Sequence, residues 1–232
     1  MSTKQARDEQ VKMLDLLAEL MGSANGRVDF WEILIIYPVA NQSQILARGI
    51  NHAIEAKNYV CAASLLRSLV ESAMTLVYAL TIPKENEEEF YNQLAKQGRL
   101  QRWSKSKKRW ENVRDTHLIE QFEKTTKLKI AKIYDKLCDI LHFSTAHMQM
   151  LGAGTDEDRM ASLKIGEEGP DMPEGSYSVL SELTENLLHV IKRHIAAEIH
   201  LKRSYHGESV STIANSIIDI SLVTQAHRHA NT

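Results

Sequence analysis

Residues 59–80 read Tyr-Val-Cys-Ala-Ala-Ser-Leu-Leu-Arg-Ser-Leu-Val-Glu-Ser-Ala-Met-Thr-Leu-Val-Tyr-Ala-Leu, and this stretch decides the fold. It is apolar nearly all round, the pattern of a helix enclosed by other helices rather than one with a single greasy stripe on a surface. Its polar residues keep to helical steps. Arg67 and Glu71 stand at i and i+4 on one face, with Ser64 and Tyr78 extending the same stripe. Burying an unpaired charge costs several kcal/mol or more. The pair therefore either neutralises itself as a structural ion pair or lines a functional cleft, since charges held in apolar surroundings often mark sites.

Working outward, Pro83 ends this helix and suits the first position of the next, and Glu85, Glu87, Glu88 and Glu89 put negative charge at the positive end of the new dipole. A helix from Lys84 to Gln97 follows, broken by Gly98. The basic stretch of residues 99–110 leads into a helix near residues 110–124. Residues 127–148 form a second long helix with Ile130, Ile133, Tyr134, Leu137, Cys138 and Leu141 on the face that packs against the central one. Residues 149–175 hold five of the ten glycines and two of the four prolines, a Gly-rich loop or short hairpin in which residues 160–165 are the strand-like piece. The last long helix starts after Pro173 and Gly175, is capped by Ser176 or Ser178, and buries Leu180, Leu183, Leu187, Ile191, Ile195 and Ile199 before ending at Gly207.

Upstream, residues 30–37 look strand-like, but the apolar pattern runs past Pro38 into Ile45, Leu46, Ile50 and Ala53, which predicts a kinked helix or two short ones. Residues 5–21, with Val11, Leu14, Leu17, Ala18 and Met21, form a peripheral amphipathic helix. The expected fold class is all-α, a bundle of about six to eight helices. Residues 1–207 make one domain and residues 208–232 a tail or short docked helix.

The whole chain supports this reading. Its 232 residues are 43% hydrophobic and 25% charged, enough for one self-sufficient core, and Gly and Pro are too few for an all-β fold. Cys61 and Cys138 sit inside helical patterns, which excludes a disulfide scaffold and a four-cysteine zinc site. The first residues are polar and no apolar run approaches the length of a membrane span, so a cytoplasmic protein with no membrane contact is expected. There is no phosphate-binding loop and no Gly-x-Ser-x-Gly elbow. His142 and His147 are about 140° apart on a helix, too far round to share a metal, and His227 and His229 lack further ligands. No metal and no cofactor are expected.

Two further features carry chemistry. His142 falls at the edge of the buried face of its helix, where Asp135 or Asp139 can orient one ring nitrogen and leave the other to act as acid or base; a hydrogen-bonded structural histidine fits there equally. Between Lys96 and Lys136 there are 13 Lys or Arg against five Asp or Glu, inside a chain of net charge −2. Lys105, Lys107, Lys108 and Arg109, flanked by Trp103 and Trp110, suit phosphates with a ring stacked on a base. They suit equally a solvated basic face whose tryptophans anchor in the core.

The central Ala-Ser-Leu-Leu-Arg-Ser-Leu-Val-Glu-Ser, the later Tyr-Asp-Lys-Leu-Cys-Asp-Ile-Leu-His-Phe-Ser from Tyr134, and the Gly-rich loop with one closing helix together resemble bacterial HEPN-like helical proteins. The resemblance spans residues 45–200. Members that cut RNA use an Arg, a polar residue, a short spacer and a His on one helix, without a metal and as dimers. Here Lys136 stands in the position of that Arg. The resemblance implies two functions. In one, the chain is a non-enzymatic interaction or scaffold protein in which Arg67, Glu71, Tyr134 and His142 form a buried polar network. In the other, it is a metal-independent endoribonuclease of a phage-defence or toxin system: His142 transfers protons, Asp139 or Asp135 orients it, and Arg67 with Lys136 neutralises the phosphorane. A homodimer, an RNA or a protein partner is implied.

Overall fold

The computed structural model describes residue 15 and residues 30–104, 106–141, 154–155, 161–162 and 174–205. The helix expected at residues 5–21, the tail at 208–232, the end of the second long helix, and Lys105, His142, His147, His227 and His229 lie outside the described residues. Within them the fold is predominantly helical, with six helices and two small hairpins.

Helix α1 (Phe30–Glu55) is one continuous helix with Pro38 inside it, not two. Its buried face comprises Ile35, Ile36, Val39, Ala40, Leu46, Ala47, Ile50 and Ala53, whereas Ile45, expected to point inward, is exposed. Gly49 lets the next helix approach closely: a methyl group there would come within 2.9 Å of Leu65 Cδ1. The chain reverses through Lys57, which adopts the left-handed conformation at φ 54°. The amides of Lys57 and Asn58 return to the carbonyls of Ile54 and Ala53, closing the end of α1. The Asn58 side chain then accepts from Cys61 N at 3.0 Å and starts helix α2 (Tyr59–Ala79).

Helix α2 is the hub, with Leu66, Leu69, Val70, Ala73, Leu76 and Val77 fully enclosed. Its serines sit at four-residue spacing and bond back within the helix: Ser64 Oγ to Val60 O at 2.7 Å and Ser72 Oγ to Ser68 O at 2.9 Å. Each hydroxyl is satisfied without a partner helix, which lets a polar stripe run along an otherwise apolar helix. By length and composition α2 is apolar enough to cross a membrane, contrary to the expectation that no such run exists. In this fold the surrounding helices bury 56% of that apolar window.

Helix α3 (Lys84–Gln97) has the expected bounds, with Glu85 and Glu87 in its first turn and Gly98 at φ 62° closing it; Pro83 stands at its N-cap, one place before the first helical position expected for it. Where a helix was expected to begin near residue 110, the chain instead forms an antiparallel hairpin of β1 (Gln101–Ser104) and β2 (Arg109–Asn112). Helix α4 (Asp115–Thr126) follows and ends at Lys127, left-handed at φ 65°. That turn delays helix α5 (Ala131–Leu141) by four residues relative to the expected start at 127. Glu123 bridges the gap. Its carboxylate accepts from Ile130 N at 2.8 Å, Ala131 N at 3.0 Å and Lys129 Nζ at 3.0 Å. Those two amides are orphan donors at the α5 N-terminus.

Short strands β3 (Gly154–Thr155) and β4 (Ala161–Ser162) pair antiparallel inside the Gly-rich segment, where a short hairpin was expected. Helix α6 (Glu174–Tyr205) begins before Ser176 and Ser178, so neither serine is its cap. The expected apolar face, Leu180, Leu183, Leu187, Ile191, Ile195 and Ile199, is buried. It packs on α2 and α1, while α4 and α5 cover other sides of α2. Tyr177 latches α6 to the α1–α2 reversal, donating to Lys57 O at 2.8 Å and meeting the Tyr59 ring edge-on at 5.9 Å.

Candidate functional site

Helix α2 presents Arg67 and Glu71 one turn apart, and their side chains meet, Arg67 Nη2 lying 3.0 Å from Glu71 Oε1. Helix α5 brings Tyr134 beneath them, with the Arg67 guanidinium 5.7 Å above its ring centroid. The Tyr134 hydroxyl lies 3.0 Å from the same Glu71 oxygen and 3.1 Å from Asp115 Oδ2. A phenol has one proton, so it donates to one carboxylate at a time. Asp115 occupies the first turn of α4, where the helix dipole favours a negative charge. Three helices thus contribute to one polar cluster.

Burial pushes the Tyr134 phenol well above its ordinary value; the Arg67 contact opposes this, and the Glu71 and Asp115 carboxylates reinforce it. Tyrosine is therefore a fixed donor here, not a base. Burial works against the charge on Arg67, but the contacts with Tyr134 and Glu71 outweigh it and hold the guanidinium above its ordinary value. Arg67 Nε is buried without a hydrogen-bond partner among the described residues. The cluster is not sealed in the core as expected. The Arg67 side chain keeps 25% of its exposure and Glu71 43%, so the cluster sits at the rim of the bundle.

The remaining expected residues are not gathered there. Lys136 and Asp139 are exposed, and helical geometry puts them about 160° and about 140° round α5 from Tyr134, away from Arg67. Asp135 is exposed as well. His142 lies outside the described residues, so its meeting with Arg67 and Glu71 is not among the contacts seen. Asp115 was missed because a helix was expected to run straight through it from residue 110; an acidic residue in a helix's first turn was the available signal.

The basic segment forms a second site. In the β1–β2 hairpin Trp103 stands directly opposite Trp110, the rings edge-on with centroids 5.8 Å apart. Trp110 packs against the core, but Trp103 is half exposed, so only one tryptophan is an anchor. Lys107 Nζ and Arg109 Nε reach Glu111 Oε1 at 2.8 and 3.3 Å, and these contacts, Lys107 foremost, hold the Glu111 carboxyl below its usual range. Lys108 takes the turn at φ 51°.

Helix α6 carries two groups without a role in either reading from sequence. Burial pushes the Lys192 ammonium down to about 8. It also lowers His194, whose Nδ1 lies 2.8 Å from Val190 O. No family model, no curated protein and no solved structure matches this chain.

Proposed function

We propose that this chain is a non-enzymatic, HEPN-like helical interaction or scaffold protein in which Arg67, Glu71 and Tyr134, joined by Asp115, fix the register of α2, α4 and α5. One observation carries the reading: the single guanidinium of the cluster is engaged by Glu71 and stacked on Tyr134, while two carboxylates share the same phenol. Formally the cluster has one negative charge in excess. A phosphodiester entering it would meet two carboxylates beside one cation, whose Nη2 is already engaged by Glu71. Lys136, the residue standing for the family's arginine, is on the far side of α5 and exposed. A polar cluster joined across three helices instead specifies which turn of α5 lies against which turn of α2.

The test is incubation of the purified protein, at excess over substrate, with a mixed RNA pool in EDTA, beside the His142→Gln variant. An interaction protein leaves the pool intact in both cases. Cleavage by the parent that His142→Gln abolishes, with an unchanged melting temperature, would replace this reading with the metal-independent ribonuclease.

A further inference from the structure

Residues 99–114 contain seven Lys or Arg and one carboxylate, Glu111, although the whole chain has more acidic than basic side chains. The hairpin fold sorts them. Opposed residues of an antiparallel pair share a face, so Gln101, Trp103, Trp110 and Asn112 form one side and Arg102, Ser104, Arg109 and Glu111 the other. The first side faces the protein at its base: Gln101 is buried and donates to the Asn112 side chain, and Trp110 lies on the core. Towards the turn this side outruns the bundle, and Trp103 emerges with half its surface in water. On the second side Glu111 gathers Lys107 and Arg109 along the strand. Arg102 and Lys108 are exposed and form no ion pair among the described residues.

The geometry points to a docking surface for single-stranded nucleic acid at the turn end of the β1–β2 hairpin, with Trp103 stacked on a base and the nucleic-acid strand rounding that end so that Lys108 in the turn, then Arg102 and Arg109 on the opposite side, hold the flanking phosphates. The partner follows from the combination. Cations alone would suit any polyanion, but an indole propped edge-on by a second, anchored indole is a planar platform, and an unstacked base is the anion-bearing group with a matching face. In a duplex the bases are already stacked and the platform has nothing to receive. The inference names the partner class for the interaction reading above and rests on it.

The experiment is fluorescence anisotropy of a labelled RNA of about 12 nucleotides, the scale of one single-strand site, titrated with the full chain in EDTA. An unlabelled DNA strand, the corresponding RNA duplex and polyglutamate serve as competitors. Binding should weaken steeply with salt, Trp103→Ala should weaken it about tenfold, and a combined Arg102→Glu and Lys108→Glu variant should abolish it. Both changes are at exposed positions, and an unchanged melting curve confirms the fold; the milder Lys108→Gln should give a partial loss. Competition by either single strand but not by duplex or polyglutamate supports the inference. Equal binding by Trp103→Ala, or equal competition by polyglutamate, overturns it in favour of an acidic protein partner or a merely solvated face. Cleavage of the strand during the titration would instead count against the interaction reading and leave the hairpin assignment standing.

Discussion

Arg67, Glu71 and Tyr134 were visible in the sequence because each is a polar interruption at helical spacing in an apolar stretch, and such groups must find partners. Asp115 was not, since nothing in a single carboxylate at a helix start says which distant phenol it will face. The Tyr134 hydroxyl gives the most informative single change. Tyr134→Phe keeps the ring under Arg67 but removes the donor between Glu71 and Asp115, and we expect a loss of about 1–2 kcal/mol in urea unfolding. The effect has a pH signature. Because the folded phenol is held above the unfolded value of 10.0, the unfolded chain loses this proton first as pH rises. The group's contribution is therefore complete below pH 10 and declines above it, and the gap between parent and Tyr134→Phe should narrow there. Tyr59 and Tyr78, also raised by burial, leave a residual alkaline loss in the variant.

At the scale of elements, α2, α3 and α6 were legible because periodicity, Pro83, Gly98 and the apolar steps of α6 all agree. The β1–β2 hairpin was not. Its turn, residues 106–108, is Ser-Lys-Lys, without the Gly, Asn or Asp that usually accepts a positive φ, and Lys108 takes that conformation itself. Its strands are four residues long and read as a charge run. The same mismatch of residue and backbone recurs at Lys57, which closes α1 at φ 54°. Lys57→Gly should therefore stabilise the protein by about 1 kcal/mol, measured as a raised urea midpoint; an unchanged or lowered midpoint would show that the turn carries no strain. Glu123 works in the opposite sense. Its carboxyl is held below 4.5 by Ala131 N first, then Lys129 and Ile130 N, so its contribution is present above pH 4.5 and lost as pH falls through the lowered folded value. Glu123→Ala should cost about 1 kcal/mol near neutrality, and the difference from the parent should shrink under acid.

At the scale of the molecule, α2 shows that length and apolar composition do not separate a core helix from a spanning one: it is long and apolar enough for a bilayer, and α1, α4, α5 and α6 pack against it. The helical class was legible from the scarcity of Gly and Pro, but the grouping of α4 and α5 around one rim of α2 depends on side-chain meetings that no periodicity encodes. If the cluster there holds the bundle in register, its members must stabilise the whole fold jointly. A double-mutant cycle in urea between Arg67→Met on α2 and Tyr134→Leu on α5, which removes the ring as well as the hydroxyl, measures this directly. We expect both single variants to be destabilised, with a coupling of about 1 kcal/mol or more between them. Additive effects within about 0.3 kcal/mol, or a gain in stability when Arg67 is removed, would contradict it and mark these residues as held for chemistry rather than for the fold.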